Sequence, residues 1–158
     1  MFRIELQWNE SQQLVATVLK DDQSWDSTTT GPWTEEEYLA HWAIMTYYLL
    51  DCRSHGTGLL LRGSMAASDL TPVRAFRVIV MRGNYWFDDV IVESPWKNPS
   101  CKAATLAEAI RPQPDLWIRT GAIPVFEVTR EELELWHVAL PEPGDAEHLS
   151  DGVDAIWL

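Results

Sequence analysis

Two cysteines in 158 residues, Cys52 and Cys101, are too few to staple a secreted scaffold. In a domain of this size they read as free, buried thiols of a reducing cytosol. No apolar run approaches the roughly 18 residues that a bilayer span requires. The longest candidate, Tyr38 to Leu50, is short and is interrupted by His41. Met1-Phe2-Arg3-Ile4-Glu5-Leu6 has no basic stretch leading into an apolar one, so no secretion signal is expected and the predicted location is cytoplasmic, with no membrane contact. Basic side chains are also scarce. Twelve Lys and Arg stand against 24 Asp and Glu, a formal net charge of −12. Nucleic acid is therefore excluded as a partner, because its binding depends on Lys and Arg neutralising phosphates.

Reaction chemistry is equally thin. His41, His55, His137 and His148 have no close ligand pair of the kind zinc sites use, so no metal and no cofactor are expected. No phosphate-binding loop, nucleophile elbow or dinucleotide fingerprint follows a strand. Gly56-Thr57-Gly58 reads as a turn between helix and strand. Neither cysteine lies in a nucleophile's local context, and Asp88-Asp89, adjacent on a strand, point to opposite faces. No catalytic residue is assigned. The alternative readings are a small hydrolase-type enzyme with a dispersed acid–base site, or a subunit of another assembly.

What the chain does have is regular patterning and nine Trp. Phe2, Ile4, Leu6 and Trp8 alternate with polar residues as a half-buried strand, and Leu14 to Leu19 returns as its hairpin partner. Lys20 to Pro32 is polar and reads as a loop. Thr34-Glu35-Glu36-Glu37 fits a capping box, with Trp33 and Tyr38 placed as a hydrophobic staple. Tyr38, Trp42, Met45 and Leu49 follow at helical spacing, while Ile44, Tyr47 and Tyr48 give the helix a second apolar face. Leu59 to Arg62 and Val73 to Met81 read as strands, and Gly83-Asn84 as a hairpin turn into Tyr85 to Glu93. Thr105-Leu106-Ala107-Glu108 caps a short helix, and Leu116 to Arg119 and Val125 to Val128 are short strands. Glu134 to Leu140 alternates and closes on Pro141, which predicts a strand. The fold class expected is α+β: a mainly antiparallel sheet with one long N-terminal helix and short helices packed on it. Residues 1–158 make one domain, with 141–158 an acidic, loosely attached tail.

Acid beside aromatic marks the candidate binding residues. Asp21, Asp22, Trp25 and Asp26 share one polar segment, closely followed by Glu35 and Glu36, and Trp86, Asp88 and Asp89 share a hairpin strand. Trp anchors interfaces and carboxylates pair with Lys or Arg across them. Residues 113–158 alone hold ten acids against two bases, a field that draws a basic partner.

The order of elements resembles immunity proteins of bacterial contact-dependent growth inhibition and related polymorphic toxin systems. It is carried by the Trp8 strand, the helix opened by Glu35-Glu36-Glu37-Tyr38-Leu39-Ala40-His41-Trp42, and Gly58-Leu59-Leu60-Leu61. Arg77-Val78-Ile79-Val80-Met81-Arg82-Gly83-Asn84 and Glu134-Leu135-Trp136-His137-Val138-Ala139-Leu140 complete it. Such families bring an E-x-x-L-x-x-W helix, an R-x-G-D or R-x-G-N hairpin and a terminal W-x-V-x-L strand. The chain departs from them in its Pro95–Pro114 region and in its tail beyond Pro141. The resemblance implies a cytosolic, non-enzymatic protein that binds the toxin domain of its own system. Many such toxins are nucleases with basic clefts, and no shared catalytic residue carries over.

Overall fold

The computed structural model describes residues 1–30, 34–52, 55–64, 73–92, 117–119 and 125–142. The chain opens with three strands, β1 (Phe2–Trp8), β2 (Leu14–Lys20) and β3 (Gln23–Thr29), which form an antiparallel sheet in that order. Helix α1 (Glu35–Asp51) follows, and then β4 (His55–Ser64), β5 (Val73–Met81), β6 (Asn84–Val92), β7 (Trp117–Arg119) and β8 (Phe126–Val128). These five strands form a second sheet, ordered β4-β5-β6-β7 with β8 also paired to β6. Helix α2 (Arg130–Ala139) ends the described fold. No helix among the described residues is long and apolar enough to cross a membrane.

The expected architecture is thereby corrected. There is not one sheet with a long N-terminal helix and short helices packed on it, but two antiparallel sheets and, among the described residues, two helices. Three strands precede α1, so it is not N-terminal. The segment expected to be a loop contains β3, whose polar residues pair with β2 from Val15↔Thr29 to Lys20↔Gln23. Pairing to an existing hairpin supplies what its own composition lacks. Asp21 and Asp22 alone make the connection, both at positive φ (53° and 63°), the turn shape that short polar side chains tolerate. Gly56 and Gly58 lie inside β4, paired with Val80 and Val78, rather than in a turn. The β5–β6 turn is Arg82-Gly83, with φ of 53° and 81°, and Asn84 is already paired with Met81.

The largest local correction is Glu134 to Leu140, expected as a strand and observed as the C-terminal part of α2 with its cap, Leu140. Alternation of Trp136, Val138 and Leu140 misleads because Leu133 and Trp136 are the buried pair, three residues apart, while Val138 is 81% exposed. A capping box stood in the sequence as its true signal: Thr129 accepts from the Glu132 N–H, and Glu132 accepts from the Thr129 N–H at 2.9 Å. The box expected at Thr34 and Glu37 forms in the same way. Trp33, the proposed helix at 105–108, the Pro95–Pro114 region and the tail from 143 lie outside the described residues.

Between the two sheets and the helices lies an aromatic core. Phe2 meets Phe87 at 4.8 Å and Trp136 edge-on at 5.2 Å, while Trp42 meets Trp136 at 5.9 Å. Helix α1 turns Tyr38, Trp42, Met45 and Leu49 inward, as its spacing predicts. Two of its polar side chains also close an open edge. Strand β4 is terminal in its sheet, where unpaired backbone groups would otherwise be exposed or orphaned. The Leu61 N–H donates to His41 Nε2 at 3.0 Å, and Trp42 Nε1 donates to the Leu61 carbonyl at 2.6 Å. His41 is thus a buried hydrogen-bond acceptor, and burial pushes its pKa down to about 3.

Two outcomes follow from these contacts. Thr129→Ala and Thr34→Ala each remove a cap and lower stability by about 1 kcal/mol, read as a melting temperature lower by roughly 2–4 °C. An unchanged melt for Thr129→Ala would contradict the observed start of α2. Because His41 titrates lower in the folded chain than its ordinary 6.5, the unfolded chain takes the proton first. Its contribution is complete above that value and is lost as pH falls toward 3. Denaturation between pH 6 and 4.5 therefore shows a slope steeper by about 1 kcal/mol per pH unit than in His41→Gln. Equal slopes would mean that His41 is charged in the fold.

Candidate protein-binding interface

The acid–aromatic residues singled out in the sequence divide sharply once placed. Asp88 and Asp89 are buried, 5% and 1% exposed. They do face opposite sides of β6. Asp88 pairs with Arg77, its cross-strand partner on β5, and Asp89 accepts from Arg62 Nη2 at 2.5 Å. Trp86, two positions before Asp88 on β6, is half-buried.

Asp26 belongs to the same interior arrangement. Arg62, 0% exposed, donates through Nη1 to Asp26 at 2.7 Å, and Arg74 donates to the same carboxylate oxygen at 2.9 Å. The Arg62 guanidinium also lies 4.8 Å over the Phe76 ring. A buried arginine needs this many partners, since removing its charge from water is costly. Two β-bulges aim the groups at one another. On β3, Leu19 pairs with Ser24 and Val18 with Asp26, so Trp25 is an extra residue. On β4, Leu61 pairs with Ala75 and Gly63 with Arg74, so Arg62 is the extra residue. A bulge suspends the strict alternation of faces. Consecutive Trp25 and Asp26 can then both reach the second sheet, Trp25 against Phe126 at 5.2 Å and Asp26 against Arg62. Trp25 is a half-buried packing residue whose Nε1 has no hydrogen-bond partner among the described residues.

The remaining predicted residues are outward. Asp21 and Asp22 form the exposed β2–β3 turn, where Asp21 accepts from the Met1 amine at 2.6 Å and lies 3.5 Å from Lys20 Nζ. Glu36 is exposed and Glu35 half-buried in the first turn of α1. Nearby, Lys20 Nζ donates to Glu132 at 2.6 Å. Burial alone would raise the Glu132 carboxyl, but Lys20, the Thr129 N–H and the Met1 amine outweigh it and hold the pKa below the ordinary value.

One surface feature went unread because α2 was expected to be a strand. The outer face of α1, with Ile44, Tyr47 and Tyr48, meets His137, Val138 and Leu140 of the α2 end across a groove of about 530 Å³. Thr46 Oγ1 and His137 Nδ1, 2.6 Å apart, tie the two helices beneath it. Among the described residues no group of three His, Cys, Asp or Glu side chains is placed to hold a metal ion. Burial, and then the Asp51 carboxylate, raise the Cys52 thiol pKa, the opposite of what a nucleophile needs.

No family model matches the sequence, and no curated protein matches it. The fold itself is shared. A solved chain from the CdiA-CT/CdiI toxin and immunity complex from Enterobacter cloacae superposes with a TM-score of 0.54 at 12% identity, over 88% of this chain and 97% of that one.

Arg62→Ala removes the arginine that pairs the buried Asp89 carboxylate and Asp26 and is expected to cost about 3–5 kcal/mol in urea unfolding. The double substitution Arg62→Met with Asp89→Leu, which removes both charges, loses clearly less. Equal losses would show that packing, not charge pairing, is what Arg62 supplies.

Proposed function

We propose that this chain is an immunity protein: a cytoplasmic, non-enzymatic domain that binds and neutralises a cognate toxin domain, basic and of nuclease type. The observation that carries the reading is the fold shared with a chain of the toxin and immunity complex. That complex has two kinds of chain, and charge favours one of them. A nuclease toxin acts on a polyanion and needs a basic cleft, whereas this chain carries −12. It is suited to cover such a cleft. Residues 1–158 act together as one domain in this reading.

The acids that steer are those left on the surface. Asp26 and Asp89 are held by the buried Arg62 and Asp88 by the half-buried Arg77, so a charge reversal there disturbs the fold before any interface. Asp21, Asp22 and Glu36 are exposed, with Glu35 beside them on α1, and they are the proposed steering group. Rim charges of this kind set the rate of encounter more than the lifetime of a complex.

The test is to find whether a toxin gene adjoins the gene for this chain, to coexpress its toxin domain with this chain and score growth, and then to follow stopped-flow association of the purified pair. Asp22→Lys with Glu36→Lys should slow association about tenfold at low salt, with dissociation little changed, and the difference should shrink as salt screens the field. No rescue of growth and no complex at low salt would end the inhibitor reading.

A further inference from the structure

Resting on the immunity reading, we infer that the groove between α1 and α2 is where the partner docks, and that it takes one aromatic or branched aliphatic side chain flanked by Lys or Arg. The groove has both a floor and an apolar rim. Ile44 is buried in the floor, while Tyr47 and Val138 are 61% and 81% exposed on either side of it. Apolar side chains that stand in water beside a well-formed depression mark a surface that binds. The floor is firm, because the Thr46–His137 contact at 2.6 Å and the edge-on Tyr47–Tyr48 pair at 5.6 Å limit its rearrangement.

Charge selects the occupant. Helix α1 carries four carboxylates and no Lys or Arg, and α2 carries three with a single Arg. That arginine, Arg130, is taken by Glu134 at 2.8 Å. Helical spacing puts the exposed acids around the groove. Asp51 stands one turn beyond Tyr47, Glu134 one turn before Val138, and Glu142 lines the groove itself. A second copy of this chain would set these acids against their own kind, and an acidic or neutral apolar segment would bring no cation to Asp51 and Glu142, since Arg130 serves Glu134. A basic segment with an apolar plug satisfies both the groove and its rim, and the plug would be desolvated at the centre as interface anchors are.

The probes are the tripeptide amides Lys-Trp-Lys and Glu-Trp-Glu, titrated into the full chain and followed by the methyl NMR signals of Ile44, Val138 and Leu140. Lys-Trp-Lys should shift these signals along a saturating curve, and Glu-Trp-Glu should bind at least tenfold more weakly. Tyr47→Ser with Val138→Ser, both at exposed positions and checked by melting, should weaken Lys-Trp-Lys and the toxin domain alike, the latter at least tenfold. Equal shifts from the two peptides, shifts centred elsewhere, or no shift overturns the groove. If the chain neutralises the toxin domain but the double variant binds it within twofold of the wild type, the groove is wrong and the immunity reading stands. If the toxin domain is never bound while Lys-Trp-Lys still prefers the groove, the immunity reading falls and the groove's preference for a basic, aromatic partner is upheld without it.

Discussion

The pairing of Arg62 with carboxylates from both sheets is the constraint around which the fold is arranged. Its Nη1 reaches Asp26 on β3 and its Nη2 reaches Asp89 on β6, so one side chain joins the two sheets. Thr28 Oγ1 adds a bond across the same gap, donating to the Arg62 carbonyl at 3.3 Å. An ion pair this deep is a poor source of net stability compared with apolar packing. What it contributes is register. A slip of β3 by one residue would turn Asp26 away and leave a buried guanidinium short of a partner, a far larger penalty than the loss of one apolar contact. Both bulges serve the same end, because without the extra residues Trp25 and Asp26 would face opposite sides of β3.

That constraint also explains which features could be read in the sequence. Elements specified by their own residues were readable: the β1–β2 hairpin by alternation, β5 by its apolar run, and α1 by its cap and inward stripe. Strand β3 was not, since its polar residues take a strand shape only because β2 and Arg62 receive them. Helix α2 could have been found. Thr129-Arg130-Glu131-Glu132 is a capping box, and it was outweighed by an alternation over Trp136, Val138 and Leu140 that has no burial behind it. The candidate site was readable only in its local part. Asp21 and Asp22 in a turn announce exposure, whereas Asp88 and Asp89 next to Trp86 look identical in sequence to a surface patch. Their burial depends on Arg77 and on Arg62, which is 27 positions from Asp89. Long-range pairing of that kind leaves no local trace.

Once those inward acids are set aside, the outward charge is better defined than the net value suggests. The β2–β3 turn, the first turn of α1 and the outer faces of α1 and α2 carry exposed carboxylates with few cations among them. Acids spread over a surface act at a distance and are screened within about 8 Å at physiological salt, so in the proposed role they would gather a basic partner without choosing its pose. The pose requires short-range contacts. In the proposed interface a groove with exposed apolar sides would provide them, and it lies between two helices that together carry seven carboxylates and one Arg.

The helices can serve recognition in this way because the fold makes separate demands on their two faces. Inward, α1 is fully committed: His41 and Trp42 cap the Leu61 backbone, and Tyr38, Met45 and Leu49 fill the core. A change at any of these reaches the open edge of β4 or the packing beneath it. Outward, Glu36, Tyr47 and Asp51 on α1, and Glu134 and Val138 on α2, bear little on the frame, since exposed substitutions away from caps and buried networks shift stability by about 0.5 kcal/mol or less. The two sets of residues can therefore change independently. The fold is shared with a chain only 12% identical, so it does not depend on a particular set of exposed helical residues. In the proposed role, that of an inhibitor that must match one toxin and ignore others, this separation would let specificity change without cost to the fold.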